Sequence, residues 1–584
     1  MTSIQPHQNR PLTAFFVALL GLVALEVWGI RDTGWRMENL NGIRFQVNFG
    51  LSVFIMGALL WSCRGLGLRQ PRAQWLWLLT VATAYFIQTA YFGVYKKYIT
   101  VFDVRFFLQD PWLSLSLFAE HGHAVRPLVT ALIASAFFYT VMHIQAPSKR
   151  WTSWLLSFLG LGVFAFISLN WFGTPAFQTA PVAYAGTLLR ATDLSAGKNS
   201  QAKNTRPTLA AFTPAPNAPD VIWIIGESLN TVNMQIYGYP RATTPALKRL
   251  QQEGQVLAFQ NALAASPRTM SSVPYILSGL QGVDPQGMIY STPSIFNYAK
   301  SAGYKTGLIT SQDFQWRNID KLFVDKDLDH FQQGTDFSSK VDILVGADDH
   351  QMLERGVLPF IHKASQTPSP FLLVIQMSGS HTPYADQVPQ AMKQFLPEET
   401  PTSINAYDNS VWYTDRFLGQ LIPTLRKQRP NAWIFFTSDH GQDVSGTGNQ
   451  FHGSLTEPVV HVPLLVFAPS GQSEKIKSNV NSPTAHADIF ATTLDLIGLS
   501  PVVPIDGTSL LRPIAASRMR VSTSYVKTLH NDPVAILVFG DGRRYQIQFD
   551  QGSVLLDDGK TTIPYADLPA DIKAIFDQRL KGQR

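Results

Sequence analysis

The chain has 584 residues, enough for several domains, and a formal net charge of +6 at pH 7. The basic residues form no Lys/Arg block, so a nucleic-acid partner is not expected. The single cysteine lies in an apolar segment, which excludes a thiolate metal site and a cysteine nucleophile in the polar part of the chain. Any metal there must be bound by oxygen and imidazole ligands.

The first 172 residues are densely apolar and predict an α-helical transmembrane domain. Five apolar stretches are each near the ~20 residues that cross a bilayer as a helix; they cover 12–30, 46–63, 75–95, 127–145 and 151–172. The first stretch lacks a small-residue cleavage site followed by polar sequence, which favours a retained anchor over a removed signal peptide. The sequence therefore predicts about five membrane helices within residues 1–172.

The short loops of this region predict its orientation. Residues 64–74 contain three arginines and no acidic residue, and residues 147–150 contain two basic residues and no acidic one. Both loops are expected in the cytoplasm by the positive-inside rule. Five crossings then place residues 173–584 on the far side, which in a Gram-negative bacterium means a multi-pass inner-membrane protein with a periplasmic domain.

Two connecting segments flank these helices. The loop 96–126 contains FDVRFFLQDPWLSLSLF, whose aromatic and apolar residues suit a membrane–water interface. Two interpretations stay open, an interfacial anchor or a lipid-binding wall beneath the polar domain. Residues 173–219 are rich in Pro, Ala, Thr and Asn and are interpreted as a linker, with a short interfacial helix around 182–193.

Residues 220–584 show apolar strands separated by helices, the pattern of an α/β domain with a mostly parallel central sheet. Helices are predicted near 293–302 and 405–427, and the last part, 520–584, reads as hairpin strands and a terminal helix. The predicted strands are VIWIIG (221–226), YKTGLIT (304–310), FLLVIQM (371–377), WIFFTS (433–438) and VPLLVFAP (462–469).

Polar residues with metal-binding groups follow three of these strands. Glu227 follows the first, His381 follows the third, and Asp439 and His440 follow the fourth, with His452 in the loop beyond. Parallel strands end at one edge of a sheet, where such folds bind ligands. A set that mixes carboxylate with imidazole and lacks cysteine suits zinc or manganese. The pattern predicts one shared metal site.

A hydroxyl-rich stretch offers a nucleophile. AASPRTMSSVP (264–274) places hydroxyls next to Arg268 and ahead of Pro274. A hydroxyl bound to a divalent metal loses its proton more easily and becomes a nucleophile. The alternative is a Ser/Thr-rich loop that only caps the following helix, and polarity does not decide between the two.

Several blocks of this sequence resemble the phosphoethanolamine transferases, a family of the alkaline phosphatase/sulfatase superfamily that includes enzymes modifying lipid A. The resemblance covers most of 220–510 in the family's order, and the predicted membrane helices agree with it. The most specific blocks are YGYPRATTP and YDNSVWYTD. The matching stretches are GESLNTVNMQIYGYPRATTPAL (226–247), RTMSSVP (268–274), GSHTPYADQVP (379–389), INAYDNSVWYTDRFL (404–418), SDHGQD (438–443) and FHG (451–453).

The resemblance implies roles for individual residues. Thr269 corresponds to the family's nucleophile and, with Glu227, Asp439 and His440, to the ligands of a first zinc ion. His381 and His452 would bind the phosphoryl substrate or a second metal, with manganese less favoured than zinc. Arg268 is a separate candidate from the sequence, either a phosphate-binding residue or a solvent-exposed charge.

The implied activity is transfer of phosphoethanolamine from phosphatidylethanolamine to an acceptor in the cell envelope. The acceptor is lipid A, lipopolysaccharide or another glycan, and the reaction passes through a phospho-threonine intermediate at the zinc site. The resemblance implies an enzyme that works at the membrane surface, because its donor is a lipid head group.

The sequence departs from the lipid A-modifying members at three positions. Those enzymes usually have several disulfides, one of them bracketing the nucleophile loop, where this chain has Ala265 and Tyr275. The residue three after the metal-binding Glu is commonly Arg and is Asn230 here. These departures leave the implied chemistry intact and the acceptor open.

The sequence leaves three other functions to compare with this one. A sulfatase or phosphodiesterase of the same superfamily is one, although sulfatases use C/S-x-P-x-R and here Ser266, Pro267 and Arg268 are contiguous. Transfer of phosphoglycerol from phosphatidylglycerol is a second alternative. Only the YGYPRATTP block distinguishes it from phosphoethanolamine transfer, and it does so weakly. A membrane sensor with a decayed enzyme domain is disfavoured because the expected metal ligands and the threonine are all present.

Overall fold

The computed structural model describes residues 10–31, 43–95, 98–99, 124–144, 150–170, 177–196, 206–212, 218–283, 288–314, 319–338, 341, 345–445, 452–523, 534–548, 552–558 and 561–580. The chain divides into two compact units, Met1–Gln201 and Ala202–Arg584. The predicted loop 96–126 lies almost wholly outside the described residues.

The first unit is helical. Four of its apolar segments have the length and composition to cross a membrane: Pro11–Ile30, Phe45–Arg69, Pro71–Gly93 and Val125–Met142. The fifth predicted segment is also helical, but its described apolar stretch, Leu155–Ala165, is shorter than a crossing. The helices are α1 (Arg10–Ala24), continued by a π-helical turn over Leu25–Ile30, then α2 (Ile43–Ser62), α3 (Leu66–Arg69), α4 (Pro71–Tyr95), α5 (Val125–Met142), α6 (Arg150–Asn170) and α7 (Ala180–Ala196).

A buried polar cluster joins the π-helical turn to the start of α7. Glu26 and Arg31 are both 0% exposed and lie 3.5 Å apart. Glu26 Oε1 accepts a hydrogen bond from the backbone N–H of Ala180 (2.8 Å), and Tyr98 donates to its Oε2. Glu26 therefore caps α7, which is the helix predicted around 182–193. The single cysteine, Cys63, is also buried in this unit.

The second unit is built on an eight-stranded sheet with the order β4-β3-β5-β1-β6-β7-β2-β8. The strands are β1 (Val221–Gly226), β2 (Leu257–Leu263), β3 (Lys305–Thr310), β4 (His330–Gln332), β5 (Phe371–Gln376), β6 (Trp433–Ser438), β7 (His461–Phe467) and β8 (Thr484–Ala485). Every neighbouring pair is parallel except the two that involve β7. The predicted α/β fold with a mostly parallel sheet is confirmed.

Helices cover both faces of this sheet, since alternate residues of the central strands enter two separate apolar cores. Val221, Trp223 and Ile225 of β1 pack in one core, and Ile222 and Ile224 in the other. The strands are apolar on both faces for this reason. The helices are α8 (Pro245–Gln252), α9 (Thr269–Ser278), α10 (Ile295–Ser301), α11 (Asp320–Phe323), α12 (Gly334–Phe337), α13 (Asp349–Met352), α14 (Leu358–Ser365), α15 (Ile404–Gln428), α16 (Glu457–Val460), α17 (Glu474–Lys477) and α18 (His486–Ile497).

The C-terminal part forms a second, antiparallel sheet of five strands in the order β13-β12-β11-β10-β9. The predicted hairpin strands and terminal helix are confirmed here. The strands are β9 (Arg520–Thr523), β10 (Val534–Val538), β11 (Arg544–Gln548), β12 (Ser553–Leu556) and β13 (Thr562–Pro564), and the helix is α19 (Ala570–Leu580). The backbone N–H of Thr523 in β9 donates to the carbonyl of Ala265 (3.0 Å), so this sheet contacts the loop that precedes α9.

Candidate active site

The carboxyl ends of four adjacent strands, in the order β3-β5-β1-β6, meet at one edge of the large sheet. Glu227 follows β1, Asp439 and His440 follow β6, and His381 lies five residues beyond the end of β5. The chain order separates these residues widely, and the parallel register brings them together.

Glu227 is fully buried and its carboxylate accepts several hydrogen bonds. Ser228 Oγ donates to Oε1 (2.8 Å), and Gln312 Nε2 donates to Oε2 (2.8 Å). The next residue, Ser228, has φ +60°, a conformation that is uncommon without glycine. This tight turn directs the Glu227 side chain and the Ser228 N–H towards the end of β6, where that N–H donates to Asp439 Oδ1 (3.1 Å).

Thr269 is the first residue of α9 and is 5% exposed. Its Oγ1 lies 3.0 Å from Glu227 Oε2 and 3.2 Å from His440 Nε2. The N-terminus of a helix favours anions, because its first N–H groups have no partner in the helix and the helix dipole is positive there. A hydroxyl in this position can attack a phosphoryl group that the helix end helps to stabilise.

Asp439 and His440 complete the cluster. The His440 backbone N–H donates to Asp439 Oδ1 (2.7 Å), and His440 Nδ1 lies 2.8 Å from the carbonyl of Gly441. A carbonyl only accepts, so Nδ1 carries the proton and Nε2, facing Thr269 and Glu227, presents a lone pair. Burial, together with the nearby Glu227 charge, raises the pKa of Asp439 well above its usual value.

This geometry fits a cation. One ligand atom from each of Glu227, Asp439 and His440 lies within 4.8 Å of the others. Asp439 Oδ2 is buried and has no hydrogen-bond partner among the described residues. Two carboxylates and an imidazole lone pair in one buried cluster repel each other unless a positive charge is present, and this donor set suits zinc.

His381 and His452 lie beside this cluster. The ring of His452 stacks on that of His440 with centroids 5.0 Å apart, and it lies 5.6 Å from the ring of His381. Burial, with the two neighbouring histidines, lowers the pKa of His452 well below its usual value. Its buried Nδ1 has no partner in the part of the chain that is described. His452 is therefore neutral and offers one ring nitrogen to a ligand.

Arg268 is the N-cap residue of α9 and packs against the turn after His452. A Cβ placed on Gly453, which has φ +90°, would lie 2.9 Å from its guanidinium carbon. The Gly453 N–H also donates to the carbonyl of Pro267 (3.0 Å). The predicted phosphate-binding residue is thus next to the histidine loop, and glycine at position 453 makes room for it.

Two further residues contact the cluster that sequence reasoning did not single out. Gln312 follows β3 and binds both Glu227 and the carbonyl of Met377 (2.9 Å). The polar residues 311–313 also follow a strand, so the pattern that indicated the other site residues applies to them too. Gln312 was not singled out because an amide is not a typical metal ligand. Ser228 was missed because its backbone angle has no signature in a Glu-Ser-Leu sequence.

The two most specific sequence blocks contact each other. Asp408 of α15 is fully buried and accepts hydrogen bonds from Asn233 (3.0 Å), Tyr239 (3.0 Å) and Arg241 (2.5 Å). Asp415, two turns later, accepts from the first N–H groups of α8, those of Ala246 and Leu247. The hydrogen bonds of Asp408 and Asp415 therefore join α15 to the segment 233–247.

The three positions that depart from the resembled family are all buried. The Ala265 N–H donates to His486 Nδ1 (3.0 Å), and its carbonyl accepts from β9, so hydrogen bonds hold the loop. Tyr275 is fully buried. Asn230 Nδ2 donates to the carbonyl of Gln442 (2.7 Å), and its Oδ1 accepts from the Asn233 N–H (2.9 Å).

The second unit is similar to known protein families. The sulfatase family profile matches residues 219–499. We refer to this matching part of the chain as the sulfatase-family domain. It contains Glu227, Thr269, Asp439 and His440, and its central sheet is the one described above.

The sulfatase-family domain resembles named phosphoethanolamine transferases, as the sequence blocks predicted. Phosphoethanolamine transferase EptC of Escherichia coli K12 is 26% identical over 350 residues, 55% of this chain and 58% of that protein. Kdo(2)-lipid A phosphoethanolamine 7''-transferase of the same organism is 24% identical over 306 residues, 48% of this chain and 51% of that protein. The chain thus spans little more than half the length of these curated relatives.

One solved structure matches more of the chain. The integral membrane protein lipooligosaccharide phosphoethanolamine transferase A (EptA) from Neisseria meningitidis matches with a TM-score of 0.58 and 16% identity. The match covers 82% of this chain and 95% of that one. At this identity the likeness shows the fold, a helical part followed by the sulfatase-family domain.

Proposed function

We propose that the chain is a membrane-bound, zinc-dependent transferase that moves phosphoethanolamine from phosphatidylethanolamine to an acceptor in the bacterial envelope. One observation carries this proposal: the Thr269 hydroxyl lies within 3.2 Å of both Glu227 and His440, at the start of a helix. The names of the relatives support the transferred group, and lipid A, lipopolysaccharide or another glycan is the proposed acceptor.

The proposed ligands of one zinc ion are Glu227, Asp439, His440 and Thr269. When bound, zinc supplies Lewis-acid chemistry, lowering the pKa of the threonine hydroxyl and stabilising negative charge on phosphoryl oxygens. His381 and His452 are the proposed ligands of the phosphoryl substrate or of a second zinc ion. Zinc is favoured over manganese because imidazole takes part in the ligand set.

The chain's own residues perform two steps. In the first, Thr269 Oγ1 forms a bond to phosphorus, the bond from phosphorus to the diacylglycerol oxygen breaks, and the hydroxyl proton ends on diacylglycerol. In the second, an acceptor oxygen attacks the same phosphorus, and Thr269 leaves and regains a proton. The N-terminus of α9 and Arg268 stabilise the phosphoryl oxygens in both steps.

The location follows from the donor. A lipid head group reaches a buried threonine only if the domain works at the membrane surface, so we propose an inner-membrane protein with a periplasmic catalytic domain. The proposed division is a transmembrane domain over 1–172, a linker with an interfacial helix over 173–219, and the catalytic domain over 220–584.

Mass spectrometry of the purified full-length protein after incubation with phosphatidylethanolamine tests this proposal. We expect a phosphoethanolamine adduct on Thr269 and release of diacylglycerol. Thr269→Ala should show neither, while Thr424→Ala, which removes an exposed hydroxyl on α15, should behave like the wild type.

Two results would argue against the proposal. Zinc-loaded wild-type protein with no adduct and no diacylglycerol release would exclude a transferase acting on this lipid. An adduct that forms only with phosphatidylglycerol would instead identify a phosphoglycerol transferase.

A further inference from the structure

Asp349, a buried carboxylate outside the proposed ligand set, lies behind the metal centre. It is the first residue of α13 and is 7% exposed. Its Oδ1 accepts from Ser311 Oγ (2.6 Å) and from the Ser378 N–H (2.9 Å), and its Oδ2 accepts from the Gly379 N–H (2.9 Å). A short surface helix thus places both carboxylate oxygens on groups at the ends of β3 and β5.

The residues that donate hydrogen bonds to Asp349 are neighbours in the chain of the residues that donate hydrogen bonds to Glu227. On the β3 side, Ser311 precedes Gln312, whose amide donates to Glu227 Oε2. On the β5 side, Ser378 and Gly379 precede Ser380, whose N–H donates to the Glu227 carbonyl (2.9 Å). Hydrogen bonds therefore hold the side chain of Glu227 from the end of β3 and its backbone from the end of β5.

The turn that carries Asp349 is packed directly against these strand ends. The Ala347 N–H donates to the Ser311 carbonyl (2.8 Å). A Cβ on Gly346, which has φ +74°, would lie 1.9 Å from Ser378 Oγ and 2.9 Å from the Ser311 carbonyl oxygen. The loop after β5 is equally close to Glu227, because a Cβ on Gly379 would lie 3.0 Å from its backbone nitrogen and oxygen. The contacts leave little space for any of these groups to shift independently.

We propose that Asp349 is a positioning residue for the metal centre, which fixes the orientation of Glu227 by joining the ends of β3 and β5. This inference rests on the proposed function, since it assumes that Glu227 binds zinc. Among the described residues, the hydrogen bonds of Asp349 go to Ser311, Ser378 and Gly379, and none reaches a proposed metal ligand. The effect of Asp349 passes through Gln312 on one side and Ser380 on the other.

The physical reason is the number of donors that face Asp349. A carboxylate accepts from all three, whereas an amide of the same shape turns an N–H₂ group towards at least one of them. A buried N–H or O–H then loses its partner, and the strand end that carries it moves to find another. Groups that orient metal ligands from behind typically change metal affinity 10- to 100-fold when replaced.

The chain offers a matched control in Asp415. This carboxylate is also buried, and it also accepts from two backbone N–H groups, those of Ala246 and Leu247. Burial raises the pKa of Asp349 and of Asp415 to about 6 in each case. Measurements at pH 8 keep both carboxyls ionised, so Asp349→Asn and Asp415→Asn remove the same chemistry from two places.

The experiment measures zinc affinity of full-length protein in detergent by competition with a chromogenic chelator, and thermal stability of the same samples without metal. We expect Asp349→Asn to weaken zinc binding at least 10-fold and Asp415→Asn to change it less than 2-fold, although both lower the melting temperature. Ser311→Ala, which removes one donor and keeps the carboxylate, should give a smaller loss of zinc affinity of about 3-fold and covers the case in which Asp349→Asn does not fold.

The outcomes separate this inference from the proposed function. Zinc affinity in Asp349→Asn and Ser311→Ala equal to that of the wild type overturns the positioning role and leaves the transferase proposal standing. Equal weakening by Asp349→Asn and Asp415→Asn also overturns it, because the effect is then general destabilisation. A wild-type protein that does not bind zinc overturns both.

Discussion

His486 lies behind the candidate nucleophile loop and accepts a hydrogen bond from the Ala265 N–H at Nδ1. It is 1% exposed, and burial, with His440 nearby, lowers its pKa to about 3. An unfolded histidine has a pKa near 6.5. Between about pH 3 and 6.5 the unfolded state therefore binds more protons than the folded state, so this residue's contribution to stability is complete above pH 6.5 and is lost as the pH falls.

This titration predicts acid sensitivity of the second unit. Lowering the pH from 7 to 5 should reduce the free energy of unfolding of the wild type by about 2 kcal/mol more than that of His486→Gln, in which an amide oxygen can still accept from Ala265. Urea unfolding followed by tryptophan fluorescence measures the difference. His362→Gln, at an exposed histidine, should keep the wild-type pH dependence; equal pH dependence in wild type and His486→Gln would contradict the prediction.

At the residue scale, the sequence predicts the candidate metal ligands better than the residues that hold these ligands in place. Glu227, Asp439 and His440 stand out because charged residues directly after buried strands need a reason to be there, and the structure brings all three to Thr269. Gln312 and Asp349 leave no such signal. Their importance depends on which strand ends are neighbours, and this is set by the sheet order.

At the scale of elements, a buried ion pair joins α15 to the segment that follows β1. Asp408 is fully buried, and Arg241 is its ion-pair partner at 2.5 Å. The Arg241 guanidinium also lies 4.5 Å from the centroid of the Phe395 ring. Removing a partner from a buried carboxylate leaves the charge poorly compensated, which is costly.

Arg241→Ala should therefore lower the free energy of unfolding by about 2 kcal/mol, a figure reduced from that of a fully buried pair because Arg241 is partly exposed. Lys477→Ala removes one partner of an exposed pair, Glu474–Lys477, and should cost less than about 0.5 kcal/mol. Denaturant unfolding of the wild type, Arg241→Ala and Lys477→Ala measures these differences in the free energy of unfolding. A loss in Arg241→Ala no larger than in Lys477→Ala would show that α15 does not depend on this pair.

The secondary structure elements that the sequence predicts best are the buried ones. VIWIIG and WIFFTS become β1 and β6 without a shift, because six consecutive apolar or small residues directly before a carboxylate allow few alternatives. LAFQNAL, which becomes β2, was not predicted, since its polar residues Gln260 and Asn261 interrupt the apolar pattern. The antiparallel direction of β7 depends on tertiary packing and leaves no mark in VPLLVFAP.

At the scale of the whole molecule, the number of membrane crossings decides on which side the sulfatase-family domain lies. Four crossings place both termini on the same side, and five place them on opposite sides. The helix Arg150–Asn170 makes the difference. With the basic loops 64–74 and 147–150 in the cytoplasm, the domain that follows reaches the periplasm only if this helix crosses as well.

We therefore expect α6 to span the membrane. A reporter alkaline phosphatase, which is active only in the periplasm, should be active when fused after residue 584 and inactive when fused within 64–74. Replacing Lys149 and Arg150 with acidic residues should reduce the activity of the C-terminal fusion, because the charge that holds this loop in the cytoplasm is removed. An inactive C-terminal fusion in the unaltered chain would exclude a periplasmic catalytic domain.

The sequence predicted the two-part organisation because membrane helices and a polar α/β domain differ sharply in composition. It did not predict the Glu26–Arg31 pair or its bond to the start of α7. These residues are isolated charges in apolar sequence, and only the packing of helices within the first unit brings them to Ala180.

The position of Cys63 has a consequence for the maturation of the protein. Because Cys63, the single cysteine of the sequence, is buried among the helices of the first unit, the second unit contains no thiol and forms no disulfide bond. Folding of the second unit therefore needs no oxidation step, and reductants such as dithiothreitol should leave it intact.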